Sequence, residues 1–140
     1  MNSNSQICTT REQSERLLAL GLKKETADMF YAAVHNGTKV VGYRISPDYN
    51  DEHFEIFTDD IPAWSLHRLW ELLGKIKKYE GEDELLYPRI SLVEEDVIFE
   101  CPASIRATRN FCSPKGVYEN IINCIELLIK EGYFNKDYLV

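Results

Sequence analysis

Apolar and polar positions along the chain alternate between helical and extended spacing. Thr9 and Thr10 have Glu12 and Gln13 three residues on, so either pair can close a capping box at a helix start. Leu17, Leu18 and Leu20 give that helix its apolar content, and Gly21 is placed to end it. Ala27, Phe30, Tyr31 and Val34 fit i, i+3, i+4, i+7, which predicts a second short helix over 25–34 stopped at His35-Asn36-Gly37. The run KVVGYRI (39–45) is β-branched and aromatic and predicts a strand, followed by turn chemistry over 46–51. HFEIFT (53–58) predicts another. Asp59-Asp60-Ile61-Pro62 is expected to open a central helix, with Asp60 or Ser65 as its N-cap. Leu66, Leu69, Trp70 and Leu73 form its stripe, and Gly74 ends it. Residues 75–79 read as a frayed basic turn, and 80–84 as an acidic surface loop. Segments 87–93 and 97–100 flank the turn 94–96 and predict a hairpin, with Pro88 at an edge or a strand start. Residues 101–112 show no period and read as a loop. Ser113 is expected to cap the last helix with Pro114 at its first position. Val117, Ile121, Cys124, Ile125 and Leu128 form that helix's buried stripe, and Tyr133 and Phe134 follow Gly132 and can pack back.

Strands in adjacent pairs between helices predict an α+β class, with antiparallel pairing and about four helices. The length, 140 residues, predicts a single domain over 1–140. At 44% apolar and 28% charged, the chain is compositionally an ordinary globular one rather than a disordered one. No apolar run approaches the roughly 18 residues that would span a bilayer. The first ten residues, MNSNSQICTT, have no charged side chain and no apolar stretch of the secretory type, so a cytoplasmic protein without membrane association is expected.

The net charge of −7 disfavours duplex DNA as a partner, because displacement of phosphate counterions by cations supplies most nonspecific affinity. Residues 12–29 can be laid on a helix-turn-helix with Gly21 in the turn, but the second helix would expose Glu25 and Asp28 to phosphate. The acids are clustered: six between 48 and 60, eight between 80 and 100. The segment 101–116 instead has Arg106, Arg109 and Lys115 and no acid. Leading into a helix N-terminus, these three are the candidate anion-binding residues. Pairing with the acidic stretches is the plainer and weightier role for them.

Asp48, Asn50, Glu52 and Asp59 echo a calcium loop, but His53 occupies the place where glycine is needed, so no metal site is assigned. Cys8, Cys101, Cys112 and Cys124 lack zinc spacing and read as free thiols. His35, His53 and His67 are scattered. The sequence has no phosphate-binding glycine loop and no nucleophile motif, so no catalytic residue and no cofactor is assigned. Trp70 fits the central stripe. Trp64 precedes it and is weighed between an interface anchor and, more strongly, a staple against the core.

The segments TREQSERLLALGLKKETADM, DIPAWSLHRLWELL and YENIINCIELLIKEGYFNKDYL resemble a group of small uncharacterised proteins encoded in bacterial prophages and other mobile elements. The resemblance covers both ends and the middle helix. It implies a mobile-element setting and carries no chemistry with it. By elimination, the expected function is non-enzymatic: binding to another protein, or self-association, as an accessory of such an element. The alternatives are a small enzyme acting on an anionic substrate and a helix-turn-helix DNA-binding protein.

Overall fold

A computed structural model describes residues 6–47, 60–74, 76–77, 85–90, 95–101 and 104–140, of which 76–77, 85–90, 99–101 and 104–109 are described in backbone only. The strand expected at 53–58, the calcium-like loop 48–59 and the acidic loop 80–84 lie outside them. Among the described residues are three α-helices and two antiparallel sheets, an α+β architecture. The chain gathers into two compact units, one of Met1–Arg68 with Tyr138–Val140 and one of Leu69–Asp137.

The first unit begins with α1 (Arg11–Ala19). Thr10 and Gln13 close the capping box in both directions: the Gln13 N–H donates to Thr10 Oγ1 at 3.1 Å, and the Thr10 N–H donates to Gln13 Oε1 at 2.9 Å. Gly21 ends the helix at φ +104°, and the Leu22 N–H donates back to the Leu17 carbonyl at 3.1 Å. The helix expected over 25–34 is corrected. Lys24–Thr26 forms one 3-10 turn, and β1 (Met29–Asn36) follows. The match to helical spacing was short, and burial does not follow it: Phe30 is buried, Tyr31 half-buried and Val34 exposed. Strand pairing on both sides of the segment outweighs that match.

A two-residue loop, Gly37-Thr38, joins β1 to β2 (Lys39–Pro47), so the Asn36-Gly37 signal marks a hairpin rather than a helix end. The β1–β2 register runs from Met29 opposite Pro47 to Val34 opposite Gly42, then shifts at a bulge that skips Val41. β3 (Ile61–Ala63) pairs with the other side of β1, giving the order β2-β1-β3. The helix opening expected at Asp59-Asp60-Ile61-Pro62 is therefore corrected, and of the two expected caps Ser65 is the one used. Asp60 Oδ1 accepts the Ala33 N–H at 2.8 Å, and α2 (Leu66–Leu73) starts after Ser65. The C-terminal segment returns to this unit: Lys23 donates to the Tyr138 carbonyl and Val140 to the Gly21 carbonyl, both at 2.8 Å.

In the second unit, β4 (Ile76–Lys77) pairs with β5 (Leu85–Ile90) where a frayed turn was expected. β5 pairs with β6 (Val97–Cys101), as the hairpin pattern predicts. β7 (Ser104–Phe111) completes the order β4-β5-β6-β7, so the loop expected over 101–112 is mostly strand. Its sequence, SIRATRNF, interleaves β-formers with Arg and Asn and leaves no clean period to detect.

α3 (Val117–Lys130) packs on β6 and β7. Ile121, Cys124, Ile125 and Leu128 of the expected stripe are buried, and Val117 is half-buried. The helix starts three residues later than Ser113-Pro114 suggests, with Gly116 at the cap and φ +104°. A side chain there would be strained, and its Cβ would approach Glu95 Oε2 to 3.3 Å. Phe134 packs back and is buried. Among the described residues, no helix is long and apolar enough to cross a membrane.

Candidate functional site

Two features of the first unit bring chemistry together. One is internal. Asp28, between the 3-10 turn and β1, accepts the Ser65 N–H at Oδ1 (2.8 Å), and Ser65 Oγ donates to its other oxygen. Ser65 Oγ in turn accepts the Arg68 N–H at 3.1 Å, and Arg68 Nε donates to the Thr26 carbonyl at 2.7 Å. This fastens the N-terminus of α2 to the start of β1. The Ser65 hydroxyl hydrogen is engaged on a carboxylate, and its oxygen caps the helix, so its duties are those of an N-cap. Ser65→Ala is expected to cost about 1 kcal/mol, the usual loss for a serine cap, read from the denaturation midpoint. A change within a few tenths would show that Asp28 holds the helix start unaided.

Beside it, Cys8 Sγ lies 3.7 Å from the Tyr31 hydroxyl, which donates to the Thr9 carbonyl at 2.7 Å. Burial pushes the Cys8 thiol up, with Asp28 adding to the effect and the Tyr31 hydrogen bond opposing it. In the second unit, burial pushes Cys124 up to about 12. Both thiols are held protonated, the opposite of what a cysteine nucleophile needs.

The other feature is a surface. The β1–β2 hairpin exposes Val34 (46%), Val41 (57%) and Ile45 (41%). Arg11 lies over the Tyr43 ring on the same hairpin, with its guanidinium carbon 4.6 Å from the ring centre. Next to it, Thr10, Arg11, Glu12 and Glu15 border an open depression of about 500 Å³. Among the described residues there, two carboxylates flank one cation, an arrangement poorly suited to an anionic substrate.

Arg106, Arg109 and Lys115, singled out from sequence, belong to the second unit. Arg106 and Arg109 lie on β7, with Arg109 opposite Phe99, so about 10 Å of extended backbone separates them rather than a flexible loop. Lys115 lies in the turn before α3 and is exposed. Three N–H groups around that turn are donated within it: Ser113 to Asn120 Oδ1 (2.7 Å), Lys115 to Ser113 Oγ (3.3 Å) and Gly116 to the Ser113 carbonyl (3.4 Å). Trp64, weighed as an interface anchor, is fully buried and presents no surface. The recognition helix of a helix-turn-helix is replaced by the 3-10 turn and β1. His35 and His67 are exposed. Among the described residues, no group of three His, Cys, Asp or Glu is placed to hold a metal ion.

The exposed hairpin residues were missed from sequence, although Val41, Tyr43 and Ile45 carry a period-two signal within KVVGYRI. Period two identifies a strand face but not whether that face is covered. No protein-family model, curated protein or solved structure matches the chain.

Proposed function

We propose that the chain acts by binding protein, as a non-enzymatic accessory of a mobile element working in the cytoplasm, and that the β1–β2 hairpin makes the contact. The observation that carries this reading is the exposure of Val41 and Ile45 on β2; Val34, opposite Gly42, lies on the other sheet face from Ile45. Single exposed apolar residues are ordinary, whereas a contiguous apolar patch marks an interaction surface. β2 is also the outer strand of the order β2-β1-β3, and outer strands recruit further strands through their backbone groups.

The test places a photoreactive benzoyl-phenylalanine at Val41 in cells that make the protein, with Lys130 on the exposed end of α3 as the control position. Light-dependent protein adducts are expected from position 41 and not from position 130. Adducts absent at 41, or equal at both positions, would overturn the reading.

A further inference from the structure

The Asn36-Gly37 pair that turns the β1–β2 hairpin has a chemistry of its own. Asparagine is a labile residue: the backbone nitrogen of the next residue can attack its side-chain amide and close a five-membered ring. A side chain on that next residue, a hydrogen bond on its N–H, or a fixed backbone opposes the attack. Of the eight asparagines in the chain, Asn36 is the one followed by glycine. Gly37 has no Cβ, and nothing lies within 4 Å of where one would be. Gly37 stands outside the ladder, whose last pair is Asn36 with Lys39, so no strand bond is asked of its N–H. Its φ of +67°, with Thr38 at negative φ, makes a type II′ turn, so the fold itself requires glycine beside this asparagine. The backbone is also weakly held. The register shift between Val34 and His35 leaves two pairs beyond the bulge, His35 with Val40 and Asn36 with Lys39. Residues 34–39 are all exposed. A few solvent-exposed backbone bonds at the end of an element open at a cost near zero.

We infer that Asn36 is a site of self-modification, converted in the folded protein to aspartate and isoaspartate. The Gly37 nitrogen loses its proton to a solvent base and bonds to Asn36 Cγ. The Cγ–N bond of the side-chain amide breaks, and the amine takes up a proton and leaves as ammonia. Water then opens the ring at one of its two carbonyls. Opening at Cγ restores the backbone and leaves aspartate. Opening at the backbone carbon leaves isoaspartate, in which the chain runs through the side chain and gains one methylene. In sum, water replaces ammonia, and no oxidant or enzyme is needed. Either product adds one negative charge to the formal −7. The aspartate keeps the ladder. The isoaspartate lengthens residue 36, puts it out of step with Lys39, and leaves the hairpin to end near its bulge. This chemistry belongs to the hairpin tip itself and does not rest on what the hairpin binds.

The experiment holds the purified full chain at neutral and at mildly alkaline pH, folded in buffer and unfolded in guanidinium chloride. Samples taken over time are peptide-mapped by chromatography and mass spectrometry. The peptide containing Asn36 is expected to convert before that of any other asparagine. It is expected to give two separable isomers of equal mass, heavier than the starting peptide by the difference between a hydroxyl and an amide NH2. Conversion is expected to be faster at the higher pH, because base removes the Gly37 proton. The folded rate is expected within about tenfold of the unfolded rate, since opening the tip costs little. Asn36→Ser is expected to remove this conversion and leave the other asparagines at their own rates. Another asparagine converting first, or a folded rate more than about tenfold below the unfolded one, overturns the inference. The second result would mean that the two pairs beyond the bulge lock the tip.

Discussion

Trp64→Ala is expected to destabilise the protein by about 3–5 kcal/mol, the usual range for deleting a fully buried large aromatic side chain. The ring is wholly removed from solvent, and the indole N–H donates to Thr26 Oγ1 at 3.0 Å. Thr26 Oγ1 donates onward to the Lys23 carbonyl at 2.6 Å, so the indole joins β3 to the turn that starts β1. The backbone of Trp64 is tied on the other side to Thr9, through N–H to Thr9 Oγ1 at 3.1 Å and carbonyl from the Thr9 N–H at 2.9 Å. Alanine keeps those two backbone bonds and loses everything the ring does. Trp64→Phe separates the parts. It keeps most of the apolar volume but leaves Thr26 without its donor, and a loss of about 1–2 kcal/mol is expected from a missing hydrogen bond and a smaller ring. Urea unfolding followed by circular dichroism measures both. A cost below about 1 kcal/mol for the alanine variant, well under that range, would mean that the site collapses around the gap.

What could be read from the sequence was local. Thr10 and Gln13 announce α1 because a capping box is complete within four residues. The last helix was legible because five apolar positions, Val117, Ile121, Cys124, Ile125 and Leu128, repeat one face over successive turns. Errors fell where distant pairing decides. Residues 29–36 match a helix over barely two turns, and only the strands on either side make them extended. β7 interleaves arginines and asparagine with β-formers, so its register on β6 is fixed by pairing that no single window contains. Trp64 shows the same limit. Its place ahead of an apolar stripe fits both an exposed anchor and a core staple, and the deciding partner, Thr26, lies 38 residues away. The hairpin surface was legible as a strand and illegible as a surface, since exposure depends on what the remaining chain covers.

Asn120 was placed in no role by its pattern, yet it is fully buried on α3 with three hydrogen bonds. Its Oδ1 accepts the Ser113 N–H at 2.7 Å. Its Nδ2 donates to the Glu95 carbonyl at 2.9 Å and to the Ser113 carbonyl at 3.4 Å. One side chain therefore fixes the turn before α3 and the segment entering β6. Asn120→Ala removes the acceptor of the Ser113 N–H and the amide donor to the Glu95 carbonyl, at about 1–3 kcal/mol for each part-buried bond so lost. A total loss of about 2–5 kcal/mol is expected on that basis. Asn120→Asp is the sharper test because it changes only the donor. Ionised, the new carboxylate accepts from Ser113 but sets a buried negative oxygen against two carbonyls, so burial and repulsion both raise its folded-state value above the ordinary aspartate value of about 3.9. The linkage sign follows: the folded state binds the proton more tightly than the unfolded state, so the stabilising contribution is complete below about 3.9 and is lost as pH rises through the raised value. The deficit of the aspartate variant relative to wild type is therefore expected to be large at pH 7 and to shrink as pH falls toward 4, where a protonated carboxyl again donates to Glu95. A deficit that stays constant between pH 7 and pH 4 would show that the amide donor at position 120 does not hold the turn.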